Sequence, residues 1–159
     1  MTVLVGWILQ AIFLYFTPMG WPTPQGALIA VLALGFKGHT VEAMAVGFFW
    51  GLGLDVTGLT AFGTQGWLLV SAAFVSGGVS KNLNVEKPLT QIFLTLVGTI
   101  LFVLGVLVLG AFVSVETGSG RFGWGDTFLS LILNGVCSPL VFSAVSRWVS
   151  FFSLPLSRA

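Results

Sequence analysis

The chain has 159 residues, of which 56% are hydrophobic and only 7% are charged. A soluble domain carries about 25% charged residues, so six basic and five acidic side chains cannot cover a water-soluble globule of this size. This excludes a cytosolic enzyme and a disordered regulator, and a formal net charge of +1 without a basic stretch excludes a nucleic-acid binder. The single cysteine, Cys137, excludes a disulfide framework and a cysteine-based metal site. The composition predicts an integral membrane protein.

Charged and turn-forming residues divide the chain into apolar segments. A transmembrane helix needs about 20 apolar residues, and we assign six spans, at residues 2–17, 21–36, 42–59, 62–80, 89–115 and 127–152. The predicted fold is all-α, with residues 1–159 forming one polytopic bundle of six transmembrane helices. The first span has no basic n-region and no small-residue cleavage site, so we expect it to be a retained helix and not a signal peptide.

The basic residues predict the orientation, because Lys and Arg favour the cytoplasmic side. With six spans and a cytoplasmic N-terminus, only Arg121 lies outside, and the C-terminus is cytoplasmic. The five basic residues on the cytoplasmic side are then Lys37, Lys81, Lys87, Arg147 and Arg158. If the first two spans made a single crossing, these five would still share a side and only the N-terminus would move.

Glycines at helical spacing predict the places where helices pack closely. Gly47 and Gly51 in span 3 are four residues apart and share one helix face, and Gly98 and Gly105 in span 5 are one heptad apart. Small residues at such spacing let a second backbone approach, which is a common packing device between membrane helices. We expect these four glycines to form helix-packing or partner interfaces.

A carboxylate continues the glycine face of span 3. Asp55 follows Gly51 by four residues, and an ionised group at the bilayer centre costs about 2.5 to 3.5 kcal/mol on insertion scales. We expect it to face the bundle interior and find a partner, and Asn134 in span 6 lies at a matching depth. Other candidate partners lie nearer the outer surface, namely Thr57, Thr60, Thr64 and Arg121. The pair is predicted to form a buried polar clamp. The alternative is an ion, proton or ligand site in the outer half of the membrane.

A short polar loop between spans 4 and 5 predicts a cytoplasmic contact patch. It holds Lys81, Asn82, Asn84, Glu86 and Lys87, although simple topological anchoring by these charges is an equal alternative. The sequence contains no Walker motif, nucleophile elbow or HExxH motif, and its one histidine, His39, has no second ligand at metal-binding spacing. We therefore expect no catalytic residues, no metal and no cofactor.

The stretch GFFWGLGLDVTGLTAFGTQGWLLVSAAF, Gly47 to Phe74, resembles the rod shape-determining protein MreD family. Its core is G-x-x-x-G-L-x-x-D, followed by a short turn and a glycine that opens the next helix. The resemblance implies a non-enzymatic scaffold subunit of the bacterial cell-elongation complex in the cell inner membrane. It implies pairing with the bitopic protein MreC and association with actin-like MreB and the RodA–penicillin-binding-protein synthase, in support of lateral peptidoglycan synthesis.

The same resemblance supplies a rival function, because the MreD family is similar in fold to the substrate-binding S components of energy-coupling-factor transporters. Such a component would capture a vitamin or metal from outside. S components generally dock through small residues four apart in helix 1, whereas here Thr2 and Gly6 are an approximate pair and Gln10 follows. A small channel or holin-like pore is a third alternative, which would need a polar stripe along a whole helix.

Overall fold

A computed structural model describes residues 25–56, 62–80, 87–113 and 124–152. Within these ranges the chain forms helices and no strand, which confirms the predicted all-α class there. Predicted spans 2 to 6 each correspond to one helix, whereas the first predicted span, 2–17, lies outside the described residues. The helices are α1 (Gly26–Phe36), α2 (Thr40–Val56), α3 (Thr64–Val79), α4 (Pro88–Val113) and α5 (Trp124–Phe152).

A Schellman motif ends α1 and turns the chain into α2. Gly38 has φ +85°, a left-handed conformation that glycine adopts without strain. The amide of Gly38 donates to the carbonyl of Gly35 at 3.0 Å, and the amide of His39 donates to that of Leu34 at 3.2 Å. These bonds satisfy carbonyls that the helix end would otherwise leave free, so α1 and α2 form an antiparallel hairpin.

Helix α1 lies at the centre of the described bundle, in contact with each of the other four helices. Its residues are apolar almost all round, and eight of the eleven are buried. Such uniform hydrophobicity is typical of a helix surrounded by others. At its C-terminal end Phe36 stacks on Phe142 of α5, with ring centroids 6.3 Å apart. The core therefore forms around α1, and α2 to α5 form its wall.

Two of the described helices are long and apolar enough to cross a membrane: α4 over Pro88–Leu109 and α5 over Thr127–Arg147. Only 22% of each of these segments is buried inside the bundle. Helices α1, α2 and α3 have 11, 17 and 16 residues, and at 1.5 Å per residue they are about 16, 25 and 24 Å long. These lengths fall short of a hydrocarbon core of about 30 Å.

The outer surface of the bundle carries large apolar side chains on each of α2 to α5. Phe49 is 64% exposed, Phe74 66%, Phe93 64% and Phe128 66%. Soluble monomers seldom expose contiguous apolar patches of more than a few hundred Å². The wall of the bundle is therefore suited to an apolar surrounding.

Candidate functional site

Asp55 lies at the end of α2 and accepts hydrogen bonds from three backbone amides at the start of α3. Its Oδ2 accepts from Gly63 at 2.9 Å and from Gly66 at 3.3 Å, and its Oδ1 accepts from Gln65 at 3.1 Å. The first amides of a helix have no partner within the helix, and the helix dipole favours a negative charge there. Asp55, at 3% exposure, therefore caps α3 in the way an N-cap residue does.

The first residues of α3 make this capping contact possible. Gly63, the N-cap position, has φ +93° and makes no side-chain capping bond. Because glycine has no side chain that could cap the helix, the acceptor comes from the preceding helix. The carboxylate thus joins the end of α2 directly to the start of α3.

Asn134 lies in a different hydrogen-bond network, which corrects the predicted pairing with Asp55. Its Oδ1 accepts from the amide of Gln25 at 2.8 Å, and its Nδ2 donates to the hydroxyl of Thr99 at 3.1 Å. Counting residues from the helix ends gave the two side chains similar depths but could not give the direction in which each points. Both residues are buried polar clamps, but they clamp different helices.

The Asn134 network continues as a ladder between α4 and α5. The Thr99 hydroxyl donates to the carbonyl of Thr95 at 2.8 Å, and the Thr95 hydroxyl shares a 2.8 Å bond with that of Ser138. Thr95, Thr99, Asn134 and Ser138 are all fully buried. The other three members were not predicted from the sequence, although Thr95 precedes Thr99 by four residues and Asn134 precedes Ser138 by four. That spacing places each pair on one helix face.

Gly47 and Gly51 form the contact between α2 and α3. A Cβ at Gly51 would come within 3.0 Å of backbone atoms of Gly66, and one at Gly47 would lie 3.2 Å from the backbone of Leu69. The predicted close helix packing is therefore present, between consecutive helices of this chain. Both glycines are buried, so of the two predicted roles it is helix packing that the described residues show.

The two glycines of α4 are also used inside the bundle. Gly98 lies against the side chain of Leu32 in α1, and a Cβ there would be 2.7 Å from Leu32 Cδ1. Gly105 lies in the same way against the side chain of Leu68 in α3. The predicted packing of α4 through these glycines is therefore present in its contacts with α1 and α3.

Most of the predicted cytoplasmic patch lies outside the described residues, namely Lys81, Asn82, Asn84 and Glu86. Lys87 is described and is exposed at the start of α4. One end of the bundle carries three basic residues if the helices are followed in chain order. These are Lys37 in the α1–α2 turn, Lys87 at the start of α4 and Arg147 near the end of α5. Each of these three side chains is exposed, so the described basic residues share one side.

A half-open apolar groove of about 140 Å³ lies between α1, α3 and α4. Its lining includes Leu32, Leu68, Gly98, Leu101 and Phe102. Small-molecule sites are about 300–1,000 Å³ and present a few polar groups that orient the ligand. The groove is smaller, and Ser71, its one polar side chain, already donates to the carbonyl of Trp67 at 2.9 Å. Its chemistry therefore suits an apolar chain and not a polar substrate.

Trp50 is 6% exposed and belongs to the apolar core around α1. Within the described ranges, no group of three His, Cys, Asp or Glu side chains could hold a metal ion. His39 lies 3.6 Å from Glu42, a neighbour on the same exposed turn.

Comparisons with known proteins found no matching family model, no matching curated protein and no matching solved structure.

Proposed function

We propose that this chain is a non-enzymatic membrane scaffold subunit of the bacterial cell-elongation complex, similar to MreD, that binds an MreC-like bitopic protein. One observation carries the proposal: the polar residues that the sequence singles out are used to join helices, while the outer surface is apolar. Asp55 caps α3, and Asn134 connects α1, α4 and α5. What such a bundle offers a partner is its helix surface.

The two helices that contain most of the stretch resembling MreD pack closely against each other, which supports the proposal. Gly47 and Gly51 let α2 approach α3 closely, and Asp55 binds the first amides of α3. The two glycines and the aspartate of the G-x-x-x-G-L-x-x-D core therefore each have a physical reason. A chain that keeps this core would be expected to keep this helical hairpin.

We further propose that the chain crosses the inner membrane six times with both termini in the cytoplasm. The two long apolar helices, the exposed aromatic side chains and the shared end of Lys37, Lys87 and Arg147 support this arrangement. The shorter α1 to α3 would then lie within a bilayer that is locally thinner at this bundle, as short spans require. A cysteine at residue 2 tests the count: labelling by an impermeant reagent from outside would refute six spans.

Partner binding is tested by co-expression of the tagged chain with the MreC-like protein of the same organism. We expect the two to purify together from membranes. The matched control is the MreC-like protein with its transmembrane helix replaced by a polyleucine helix of equal length, which should not copurify because packing between membrane helices depends on specific side chains.

Two results would overturn this proposal. Equal recovery of the MreC-like protein with either transmembrane helix would show that no specific contact with this bundle exists. Recovery of the ATPase-linked subunits of an energy-coupling-factor transporter instead would favour the substrate-binding S component. MreB and the RodA–penicillin-binding-protein synthase would be recovered only through the MreC-like chain, so their presence is measured with and without it.

A further inference from the structure

The four helices around α1 leave one side of it open. In chain order, α2 contacts α3, α3 contacts α4, and α4 contacts α5. Within the described part of the chain, α2 and α5 are not in contact with each other. The wall around the central helix is therefore an arc and not a closed ring, and its opening lies between α5 and α2.

Contacts of single residues give the direction of each wall helix around α1. Leu32 lies against α4 and Gly35 against α3, Phe36 stacks on α5, and Val31 shares an apolar cluster with α2. A helix turns by about 100° per residue. Measured from Leu32, the directions of α2, α3, α4 and α5 are therefore about −100°, −60°, 0° and +40°. This order agrees with the order of contacts between the wall helices, so the two observations define the same arc.

Ala30 and Ala33 lie on the open side of α1. The same count places them about 160° and 100° from the direction of Leu32, beyond α5 and outside the arc. Ala33 is nonetheless 0% exposed, and Ala30 is half-buried. Such burial needs a cover in addition to the arc. Because small side chains let another helix approach closely, the open side is suited to a further helix.

One segment outside the described ranges has the length and composition to supply this cover. Residues 2–17 contain no charged side chain, and a helix of that length would extend about 24 Å, more than the about 16 Å of α1. Residues 18–24 join the segment to the start of α1 and can span at most about 25 Å. The other segments outside the described ranges are shorter, namely 57–61, 81–86, 114–123 and 153–159.

We propose that residues 2–17 pack as a helix in the opening between α5 and α2, where they cover Ala30 and Ala33. Consecutive elements usually lie side by side, and a short connection gives the segment an effective concentration on the order of millimolar. It therefore occupies the opening ahead of a free partner helix. The central helix is then enclosed on every side, and the outer faces of α2 to α5 are the surfaces left for a partner. The inference does not depend on the proposed scaffold role.

The test is disulfide crosslinking of the full chain in membranes, in a Cys137→Ala background that contains no other cysteine. Ala30→Cys is combined with a single cysteine at each of residues 6–12 in turn, and mass spectrometry of linked peptides identifies disulfides within one chain. We expect them at positions three or four residues apart, at several times the yield of the positions between. The matched control is Leu101→Cys on α4, across α1 from the opening and 56% exposed, which should give no such disulfide.

Three outcomes would overturn the inference. Disulfides from Leu101→Cys in place of Ala30→Cys would put the segment in the groove between α3 and α4. Disulfide-linked dimers from Ala30→Cys would show that a second copy of the chain covers this side. No disulfide from any of the seven positions, in protein whose circular dichroism matches that of the parent chain, would show that the segment lies elsewhere. Ala33→Cys, on the same side of α1, repeats the test if Ala30→Cys does not fold.

Discussion

Replacing the capping carboxylate, Asp55→Asn, tests how α2 and α3 are joined. Asn keeps one acceptor oxygen and places an NH₂ group where the second oxygen was, so at least one of the three amides of α3 loses its acceptor. A hydrogen bond to a charged group contributes about 1.5–3 kcal/mol, and a buried amide left without a partner costs about 1–3 kcal/mol. Removing a carboxylate from an apolar interior offsets part of this loss. We expect a net loss of about 2 kcal/mol in the free energy of unfolding.

The matched control is Glu42→Gln, the same chemical change at the other end of α2. Glu42 is 65% exposed and lies 3.6 Å from His39. Exposed ion pairs contribute about 0–1 kcal/mol, so we expect this variant to unfold within about 0.5 kcal/mol of the parent chain. Asp55→Ala removes all three acceptor contacts and should lose more stability than Asp55→Asn.

Stability is measured by titrating the protein in mixed micelles with a denaturing detergent and following near-ultraviolet circular dichroism. Hydrogen exchange gives a local readout, because the amides of Gly63, Gln65 and Gly66 should exchange faster in Asp55→Asn while those of α5 remain protected. Equal unfolding free energies for Asp55→Asn and Glu42→Gln, with unchanged exchange at the start of α3, would refute the capping role.

Three further changes test the packing, the polar ladder and the orientation. Gly51→Ala should destabilise the chain by about 1–3 kcal/mol, because the new Cβ overlaps the backbone of α3. The control Gly78→Ala, whose Cβ would have no atom within 4 Å, should stabilise the chain by about 0.5–1 kcal/mol. Equal effects of the two changes in the same unfolding assay would contradict the close contact at Gly51. Asn134→Leu should lose about 2–4 kcal/mol, because the Gln25 amide loses its acceptor and the Thr99 hydroxyl loses a donor, and a change below about 0.5 kcal/mol would argue against the ladder. In a cysteine-free background, cysteines at Lys37 and Lys87 should react with an impermeant reagent from the same side of the membrane, and labelling from opposite sides would contradict the order of the helices.

The helix positions could be predicted because turn chemistry is local. Lys37, Gly38 and His39 interrupt the apolar sequence, and the structure ends α1 at Phe36 with Gly38 in the left-handed conformation. Pro88 likewise begins α4, as proline favours the first helical turn. The glycine contacts were also predictable, because a spacing of four or seven residues fixes a shared face whatever surrounds the helix.

The partners of the buried polar residues could not be predicted in the same way. A helix that is apolar nearly all round has no polar stripe to show which face points inward. Counting residues along each helix therefore placed Asp55 and Asn134 at the same depth. It did not give the direction in which each side chain points around its helix axis. The backbone amides at the start of α3, which need a hydrogen-bond acceptor, were not considered as partners of Asp55. The glycine at the N-cap position was the available signal, because it has no side chain that could cap its own helix.

The two faces of α2 separate the structural role of this region from any role in binding. Gly47 and Gly51 face α3 and are buried, while Phe48 and Phe49 on the other sides are 47% and 64% exposed. Substitutions on the glycine face change partner binding only by disturbing the hairpin, so they lower stability and binding together. Substitutions such as Phe49→Ala leave the contact with α3 in place. If a partner helix packs on this wall, such substitutions weaken partner binding while the free energy of unfolding stays near that of the parent chain. The scaffold proposal requires that substitutions on at least one outer face of the bundle have this effect.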